Sequence, residues 1–347
     1  MKVIKEFEDA IESKVKRPLN LTSDINALGF KFRDMVLKRF PLSVYELSNV
    51  YLYYDDKGAF FFDSDFELIE ELTDSIANLK LNKKDLQNLA NSRLTLYRGV
   101  TATSVTFKAK TNYCHFLLEG AAKLRLINEA YNGESINNVI CDEYFGSQTE
   151  TLCSLFPAYK HSSFISLKGE GILKFEKLLV TNTIKHPMHN GHSDFKLFFE
   201  FLRENIESSV PKKCKRIFID RPNGRRGVKN KRQLQDLLDK YNFDILKLED
   251  YSFAEQIGIF KEAEVIVGIH GAGLSNLVFS TSKTSVIEVI QHDYGLPSFW
   301  FLANFLDLDY QVVGEKRDFL TFNDGTKKFN DLDIDILALE HSILKTI

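Results

Sequence analysis

Short apolar runs alternate with segments of helical apolar spacing through most of the chain. In the first half this pattern predicts strands at 94–97, 139–141, 164–167 and 178–181, and helices near 112–131, 148–155 and 194–206. In the second half it predicts strands at 216–220, 243–248, 264–269, 285–290 and 310–313, and helices at 229–241, 252–262, 274–280 and 297–306. Such alternation is typical of parallel sheets with helices on their faces. The sequence therefore predicts an α/β protein.

A loop at Pro211-Lys212-Lys213 separates the two alternating halves. We therefore predict an N-terminal α/β domain at 1–210 and a C-terminal α/β domain at 211–347. Helical spacing predicts a last helix at about 331–345. We assign this helix to the C-terminal domain, with packing on the N-terminal domain as the alternative.

The first 90 residues carry a weaker pattern. Residues 1–48 mix charge with helix-like apolar spacing and predict little beyond packing. Residues 50–54 and 59–63 are predicted strands joined by the turn Asp55-Asp56-Lys57-Gly58. A helix is predicted to follow, from 65 to about 79.

Two interpretations compete where this helix begins. Asp63 and Asp65 resemble the DxD metal motif of some nucleotide-sugar enzymes. Ser64 and Glu67, however, have the spacing of a capping box at a helix N-terminus. We favour the helix cap over the metal site.

Composition and charge narrow the function classes. The 347-residue chain has a net charge of -3 and a pI near 6.3, which argues against non-specific nucleic-acid binding because that requires a basic surface. Its four cysteines are scattered without a CxxC pair, as expected for free thiols in a reducing compartment. The charged N-terminus lacks the apolar core of a signal peptide, and no apolar run approaches the ~18 residues of a membrane span. We therefore expect a cytoplasmic protein.

The most informative stretch is the strand, glycine turn and helix start at 263–276, AEVIVGIHGAGLSN. Val265–Ile269 form a short apolar run typical of a strand buried on both faces. His270 lies where that strand ends, and Gly271-Ala272-Gly273 then form a tight turn before a helix. Unpaired N–H groups and the helix dipole make such a turn an anion-binding site. The alternative is that the turn has no ligand.

Two other features are predicted at the same edge of the second sheet, since the carboxyl ends of parallel strands lie together. The loop 221–229 carries four cations and no acid, and its guanidiniums could bind a diphosphate through paired hydrogen bonds. Glu288 lies inside the buried strand SVIEVI, where a carboxylate requires a partner. Ribose hydroxyls, a nearby arginine or a structural salt bridge would each satisfy it.

The first half contains two histidine-bearing segments. His115 and Glu119 are four residues apart and therefore share one helical face. They suit a general base with an orienting carboxylate, while a buried structural histidine is the alternative. His186, His189 and His192 lie in a Pro/Gly-rich loop without Cys, Asp or Glu. We favour acceptor binding over metal binding for this loop.

Taken together, these motifs resemble glycosyltransferase family 61, the DUF563 group of capsule and surface-polysaccharide enzymes. The resemblance covers about 105 to 295 and rests on five features: the NYxHFLLE segment at 112–119, the arginine loop with Asn230, the stretch of Gln256, Ala263 and 265–268, the HGAGLxN segment at 270–276, and Glu288. Lys123 and Lys231 depart from the family pattern, which leaves the acceptor open.

The resemblance implies a GT-B-like fold, in which two Rossmann-like domains face a cleft. It implies inverting transfer of a sugar from a nucleotide-diphosphate donor, UDP-sugar being favoured, without a metal or other cofactor. The expected acceptor is a growing surface glycan, such as capsule or lipopolysaccharide, as a free or lipid-linked glycan. We therefore expect a bacterial enzyme in the cytoplasm or at the cytoplasmic face of the inner membrane, with no nucleic-acid partner.

The resemblance and the residue patterns described above together assign roles to individual residues. His115 and Glu119 are the expected catalytic residues. The expected donor-binding residues are Arg221, Arg225, Arg226, Asn230, His270, Gly271, Ala272, Gly273, Leu274, Asn276 and Glu288. The expected acceptor-binding residues are Asn112, Tyr113 and His189.

Two alternatives to a glycosyltransferase remain open from the sequence. One is another nucleotide-dependent transferase on the same fold, moving a pyruvyl or phosphoryl group. The other is a glycan-binding subunit without catalysis. Donor profiling distinguishes the first alternative from a glycosyltransferase, and detectable turnover of a donor would eliminate the second.

Overall fold

The structure is a computed structural model that describes most of the chain. The described residues are 1–7, 12–20, 25–27, 30–32, 34–38, 41–55, 58–75, 80–106, 112–132, 134–182, 193–208, 210, 215–221, 227–291, 296–315 and 331–347. Its contacts divide the chain into two units. Unit 1 comprises Met1–Ala10 and Phe40–Pro187, and unit 2 comprises Ile11–Arg39 and Met188–Ile347.

The secondary structure is a mixture of strands and helices. The strands are β1 Lys2–Phe7, β2 Glu12–Val15, β3 Ile25–Ala27, β4 Phe30–Phe32, β5 Met35–Lys38, β6 Leu42–Tyr54, β7 Gly58–Phe62, β8 Asp74–Ser75, β9 Thr95–Thr103, β10 Asn138–Asp142, β11 Ser163–Leu167, β12 Gly171–Thr181, β13 Arg216–Ile219, β14 Asp244–Leu246, β15 Val265–Ile269, β16 Ser285–Val289 and β17 Asp309–Val313. The α-helices are α1 Lys83–Arg93, α2 Tyr113–His115, α3 Ala121–Ala130, α4 Gly146–Cys153, α5 Ser193–Asn205, α6 Lys231–Lys240, α7 Phe253–Glu262, α8 Ser298–Phe305 and α9 Ile336–Leu344. Shorter 3₁₀ segments lie at Glu70–Leu72, Pro157–Tyr159, Leu248–Asp250 and Ala272–Phe279, and a π-helical turn at Phe116–Gly120.

Unit 1 is built on an eight-stranded mixed sheet in the order β11-β10-β9-β12-β6-β7-β8, with β1 also paired to β6. The neighbours from β11 to β12 are parallel, whereas β12, β6, β7 and β8 pair antiparallel. The predicted β6–β7 hairpin is confirmed. The four strands predicted between 94 and 181 are parallel neighbours, as their alternation with helices predicts. The sheet as a whole is mixed because the β6–β7 hairpin belongs to it, and a short turn joins antiparallel strands.

Unit 2 contains a five-stranded sheet in the order β14-β13-β15-β16-β17, and every neighbouring pair is parallel. Its central strands are continuous apolar runs because helices cover both faces. Every residue of β15 is buried, as the sequence predicts. All five strands of the second half lie within two residues of their predicted positions.

The N-terminal segment 11–39 belongs to unit 2, which the sequence does not predict. The backbone carbonyl of Lys16 accepts a hydrogen bond of 2.6 Å from Trp300 Nε1. The backbone N–H of Lys16 donates to Asn304 Oδ1 at 2.7 Å. Asn20 bonds both backbone groups of Val312, on β17. These polar contacts attach the segment to α8 and to the last strand of the sheet.

One predicted boundary differs from the structure, and the assignment of the last helix agrees with it. The division between units falls at 187/188 and not at 210/211, because α5 packs on the 3₁₀ segment 272–279 and on α7 of unit 2. The last helix packs on α6 and β17 of unit 2, where Glu340 accepts from Lys240 Nζ and Tyr241 Oη.

The predicted helix at 65–79 is wrong. Asp63 Oδ1 accepts hydrogen bonds of 2.9 Å from the N–H groups of Asp65 and Glu67, and Phe66 has a positive φ of 61°. These bonds close a tight turn, which is followed by the 3₁₀ segment Glu70–Leu72. The side chain of Asp63, and not Ser64, is the local cap, since Asp hydrogen-bonds its following backbone readily.

Three cysteines, Cys114, Cys141 and Cys153, are buried free thiols; Cys214 lies outside the described residues. Among the helices of the described ranges, none is both long enough and apolar enough to cross a membrane.

Candidate active site

The strand order of unit 2 locates a ligand-binding edge. The chain adds β14 on one side of β13 and then crosses to add β15 on the other. This reversal is a topological switch point, and in open parallel sheets ligands bind beyond the carboxyl ends of the strands that flank it. The loop after β13 contains Arg221, and the loop after β15 begins at His270. The predicted arginine loop and glycine loop therefore meet at the switch point.

Arg221 contacts the glycine loop directly. Its Nη1 donates a hydrogen bond of 2.5 Å to the backbone carbonyl of His270. A Cβ built on Gly271 would lie 2.6 Å from Arg221 Nη1 and 2.9 Å from its Cζ. Only glycine therefore lets the guanidinium approach the main chain this closely. Arg225 and Arg226 of the same loop lie outside the described residues.

The turn after β15 leads into a 3₁₀ helix, Ala272–Phe279, and not into the predicted α-helix. Gly271, Ala272 and Gly273 are partly exposed, whereas every residue from Leu274 to Phe279 is buried. The first N–H groups of a helix have no partner within it. The accessible part of the HGAGLxN segment is therefore the part that can present backbone N–H groups to an anion.

His270 begins a buried hydrogen-bonded chain. Its Nδ1 lies 2.5 Å from Glu288 Oε1, and Tyr310 Oη donates to Glu288 Oε2 at 2.5 Å. Burial, and then the Glu288 carboxylate, raise the pKa of Tyr310 well above its usual value, so that the phenol remains a donor. A carboxylate only accepts hydrogen bonds. This series of hydrogen bonds therefore places the proton of neutral His270 on Nδ1 and leaves Nε2 as the acceptor.

Glu288 thus has protein partners on both oxygens and is 0% exposed. Of the alternatives that the sequence leaves open for it, the structure shows a partner within the protein: a hydrogen-bonded histidine in place of the arginine or ribose. Tyr310 was not predicted as a site residue. Its position depends on the register of β16 and β17, which pairs Val286 with Tyr310, and that register is not readable from the sequence.

Three other residues of the expected donor site are engaged within the protein. Asn230 bonds both backbone groups of Ile334. Asn276 is fully buried and donates to Gln256 Oε1 at 2.9 Å. Leu274 packs against Gly268, where an added Cβ would lie 2.9 Å from Leu274 Cδ2. These side chains hold the loops in place, and their expected contact with the donor stays a prediction.

The catalytic pair expected in unit 1 is formed. His115 Nδ1 lies 2.7 Å from Glu119 Oε1, and the two side chains are 9% and 8% exposed. The helix widens to a π-helical turn at Phe116–Gly120, a feature that often occurs at functional sites. Gly120 permits close contact with the end of β9, since a Cβ there would lie 2.9 Å from the carbonyl oxygen of Ser104. This arrangement suits a base held in one tautomer by its carboxylate.

The residues expected to bind the acceptor are placed only in part. Asn112 caps the helix, because its Oδ1 accepts from the N–H of Cys114 at 3.0 Å. The ring of Tyr113 packs against Phe116 and Phe145 at centroid distances of 6.2 and 6.1 Å. His189, with the other histidines of its loop, lies outside the described residues. Within the described ranges, no three His, Cys, Asp or Glu side chains come together as a metal site would require.

A comparison with protein families decides the identity. The model of the family described as Glycosyltransferase 61 matches residues 113–287, about half of the chain. The chain belongs to glycosyltransferase family 61. It is therefore a transferase enzyme that acts on sugars, and the matched region contains the His115 pair, the glycine loop, β13 to β15 and the first residues of β16. The alternative of a glycan-binding subunit without catalysis finds no support in the family or in the names of its relatives.

Curated relatives share shorter segments with this family 61 enzyme. A β-1,2-xylosyltransferase of rice (Oryza sativa subsp. japonica) is 31% identical over 78 residues, which is 22% of this chain and 15% of the relative. A β-1,2-xylosyltransferase of Arabidopsis thaliana is 33% identical over 66 residues, 19% of this chain and 12% of the relative. An EGF domain-specific O-linked N-acetylglucosamine transferase of Drosophila melanogaster is 31% identical over 112 residues, 30% of this chain and 22% of the relative. The chain thus spans less than a quarter of the length of each.

Proposed function

We propose that this enzyme is an inverting glycosyltransferase whose sugar donor is a nucleoside-diphosphate sugar bound by unit 2. The observation that carries the proposal is the hydrogen bond from Arg221 to the carbonyl of His270 at the switch point. It brings a guanidinium, a glycine turn and a helix N-terminus to one strand edge, the combination that binds a diphosphate. The finer assignment, a GT-B arrangement with acceptor binding by unit 1, rests on the family resemblance.

The leaving group determines what this edge must do. When the bond between the anomeric carbon and the phosphate oxygen breaks, its electron pair leaves with the nucleoside diphosphate. Arg221 and the backbone N–H groups at Ala272 and Gly273 would stabilise that charge as it develops. His270 Nε2, with Nδ1 held by Glu288, would add a donor to the diphosphate when the ring is protonated.

The acceptor hydroxyl requires a base. We assign this role to His115, whose Nδ1 is held by Glu119. His115 Nε2 would take the hydroxyl proton while the acceptor oxygen bonds to the anomeric carbon from the face opposite the diphosphate. Attack from that face inverts the anomeric configuration. The proton ends on His115 and the negative charge on the nucleoside diphosphate, so that the step is balanced without a metal or other cofactor.

The names of the relatives and the family resemblance suggest which donor sugars and which acceptor to test. The matched relatives are named for xylose and N-acetylglucosamine transfer, so UDP-xylose and UDP-N-acetylglucosamine are the first donors to test. For the acceptor we propose a growing surface glycan, free or lipid-linked, and for the place of action the cytoplasm of a bacterium or the cytoplasmic face of its inner membrane. These assignments are supported by the resemblance to capsule enzymes.

The test is calorimetric binding of UDP to wild type and to Arg221→Ala. Loss of a hydrogen bond to a charged group corresponds to roughly 1.5–3 kcal/mol, or about 10- to 150-fold in affinity. Arg216→Ala is the matched control. Arg216 lies at the opposite end of β13, where its Nη1 donates to the carbonyl of Tyr241, and its loss should leave UDP affinity unchanged. Equal UDP affinity in wild type and Arg221→Ala would refute the donor site.

Turnover of a UDP-sugar distinguishes sugar transfer from the remaining alternative, the transfer of a pyruvyl or phosphoryl group. Release of UDP from a UDP-sugar, with the sugar recovered on an acceptor or as free sugar, supports sugar transfer. If the protein instead moved a pyruvyl or phosphoryl group, UDP-sugars would stay intact while a pyruvyl or phosphoryl donor was consumed.

A further inference from the structure

A small cavity in unit 1 lies at the carboxyl ends of three parallel strands. Val105 and Thr106 directly follow β9, Asp142 ends β10 and Leu167 ends β11, and all four line the cavity. The β6–β7 hairpin forms the opposite wall through Tyr54 and neighbouring residues. The empty volume of the cavity, about 310 Å³, includes space that is open to solvent, so only a small ligand can enter it. The edge is also the one at which parallel sheets bind ligands.

Thr106 gives the cavity an unused polar group. Its side chain is 1% exposed, and its Oγ1 has no hydrogen-bond partner among the residues that the structure describes. Its methyl group faces the helix, 3.7 Å from the position of a Cβ on Gly120. A buried hydroxyl without a partner costs free energy, so Thr106 requires a partner from a ligand or a water molecule in the cavity.

The remaining described lining selects the chemical class of that ligand. Asp142 is 5% exposed and contributes a carboxylate, which accepts hydrogen bonds from hydroxyl groups. Burial, and then Tyr97, raise the pKa of Tyr54, so that its phenol stays protonated at neutral pH. Val105, Ala59 and Leu167 add apolar surface, and the described lining contains no cationic side chain. This combination suits a neutral polyol with an apolar C–H face, and it disfavours phosphates.

The cavity wall is joined to the helix that carries the His115 pair. The buried Nζ of Lys123 donates a hydrogen bond of 2.8 Å to the carbonyl of Val105. Gly120 lies against the carbonyl of Ser104, just before Thr106. A sugar held by Thr106 would therefore be held by the same packed body as the proposed base.

From these observations we propose that the cavity binds one sugar unit of the acceptor glycan, which enters with its hydroxyl groups toward Thr106 and Asp142. The identity of that sugar as part of the acceptor rests on the proposed function. Binding of a neutral sugar at this place does not depend on the donor, and it can be measured alone.

The experiment is saturation-transfer NMR with a panel of methyl glycosides of glucose, galactose, mannose, xylose and N-acetylglucosamine at millimolar concentration. We expect at least one to bind wild type and to lose roughly two- to twelvefold in affinity in Thr106→Val, the range for one neutral hydrogen bond. Thr181→Val is the matched control, because Thr181 Oγ1 is also buried without a described partner and does not line the cavity. Asp142→Asn, which preserves the side-chain volume, is the second variant and should also weaken sugar binding.

Two outcomes would overturn the proposal: no methyl glycoside binds wild type, in which case water alone fills the cavity, or Thr106→Val and Asp142→Asn bind sugar as tightly as Thr181→Val does. Thermal melting identifies variants that have lost their fold. If Thr106→Val is one of them, Asp142→Asn tests the proposal in its place. Binding of UDP, measured in parallel, should be unchanged in Thr106→Val. If the proposed donor site is wrong, wild type and Arg221→Ala will bind UDP equally. The binding of methyl glycosides does not depend on that result.

Discussion

The hydroxyl of Tyr310 donates a hydrogen bond of 2.5 Å to Glu288 Oε2, between the neighbouring strands β17 and β16. The other oxygen of Glu288 holds His270 Nδ1. A buried carboxylate with donors on both oxygens has one stable orientation, and it fixes the ring that begins the glycine loop. Tyr310 is therefore a positioning residue for His270, and it lies beyond the segment matched by the family model.

Replacing Tyr310 with Phe should slow transfer more than it weakens the fold. The variant loses a hydrogen bond to a charged group, about 1.5–3 kcal/mol of stability. It also frees Glu288 to reorient, so we expect the rate constant for transfer to fall roughly tenfold. NMR should show a changed Nδ1–H resonance for His270.

The matched control is Tyr159→Phe, which removes another buried tyrosine hydrogen bond, to the carbonyl of Leu124 at 2.7 Å. It should lose stability to a similar extent, with the His270 resonance and the transfer rate unchanged. Equal rates for the two variants would show that Tyr310 has a structural role only.

Gly271→Ala tests whether the glycine turn acts through Arg221. The new methyl group would lie within 2.6–2.9 Å of the Arg221 guanidinium, the mobile end of a long side chain. We therefore expect the guanidinium to move, UDP affinity to fall about tenfold, and the melting temperature to change little.

A double-mutant cycle supplies the control, because residues in contact give non-additive effects. Adding Gly271→Ala to Arg221→Ala should cause no further loss of UDP affinity. Additive losses would mean that the methyl group blocks the ligand itself.

His115→Gln tests the proposed base. Glutamine preserves much of the side-chain volume and cannot serve as a base near neutral pH. The rate constant should fall by roughly 10²–10⁴, the usual contribution of general base catalysis, while the melting temperature and UDP affinity stay near wild type. Glu119→Gln, which still accepts the Nδ1–H bond, should lose less. A stable His115→Gln enzyme with nearly full activity would move the search for the base to Glu119 or to the loop that contains His189.

The proposed mechanism requires no divalent metal, so transfer should survive EDTA. Asp63 is engaged with two backbone N–H groups in a turn, and Asp63→Asn retains an oxygen that can accept them. Asp63→Asn and Asp65→Asn should therefore keep most of the activity. Complete loss with EDTA, restored by manganese, together with inactive Asp65→Asn, would favour a DxD metal site instead.

The sequence predicts unit 2 better than unit 1, for a physical reason. Parallel strands buried on both faces are continuous apolar runs, and β15 and β16 are therefore recognisable without any tertiary information. In unit 1, β6 is a 13-residue strand with a mixed burial pattern, and β1 to β5 are short. The helix predicted at 65–79 failed because Asp63 closes a turn that competes with helix formation.

The sequence predicts which residues form the candidate site, but it does not predict most of the contacts between them. Spacing alone places His115 and Glu119 on one helical face, and they are hydrogen-bonded in the structure. The partners of Glu288 depend on strand order and register, which local sequence does not encode. The same limit applies to Thr106 and Asp142, since their proximity arises only when β9 and β10 pair in parallel.

Alkaline unfolding gives a test of burial in unit 1. Tyr159 is 2% exposed, and burial, followed by Cys153, raises its pKa well above the usual value of 10.0. The unfolded chain therefore releases this proton above about pH 10, while the native state keeps it. Because the native state then binds more protons, the free energy of unfolding must fall as the pH rises. The contribution is fully present below pH 10 and is lost above it.

Tyr159→Phe lacks this titration and leaves the Leu124 carbonyl without its donor. At neutral pH we expect the variant to be less stable by about 1–3 kcal/mol. Above about pH 10 the difference from wild type should narrow, because only the wild type loses the Tyr159 contribution. Denaturant titrations of both proteins across this pH range measure the difference, and the other tyrosines cancel because both proteins contain them. A difference that stays constant with pH would mean that the Tyr159 phenol titrates alike in the native and unfolded states, contrary to its burial.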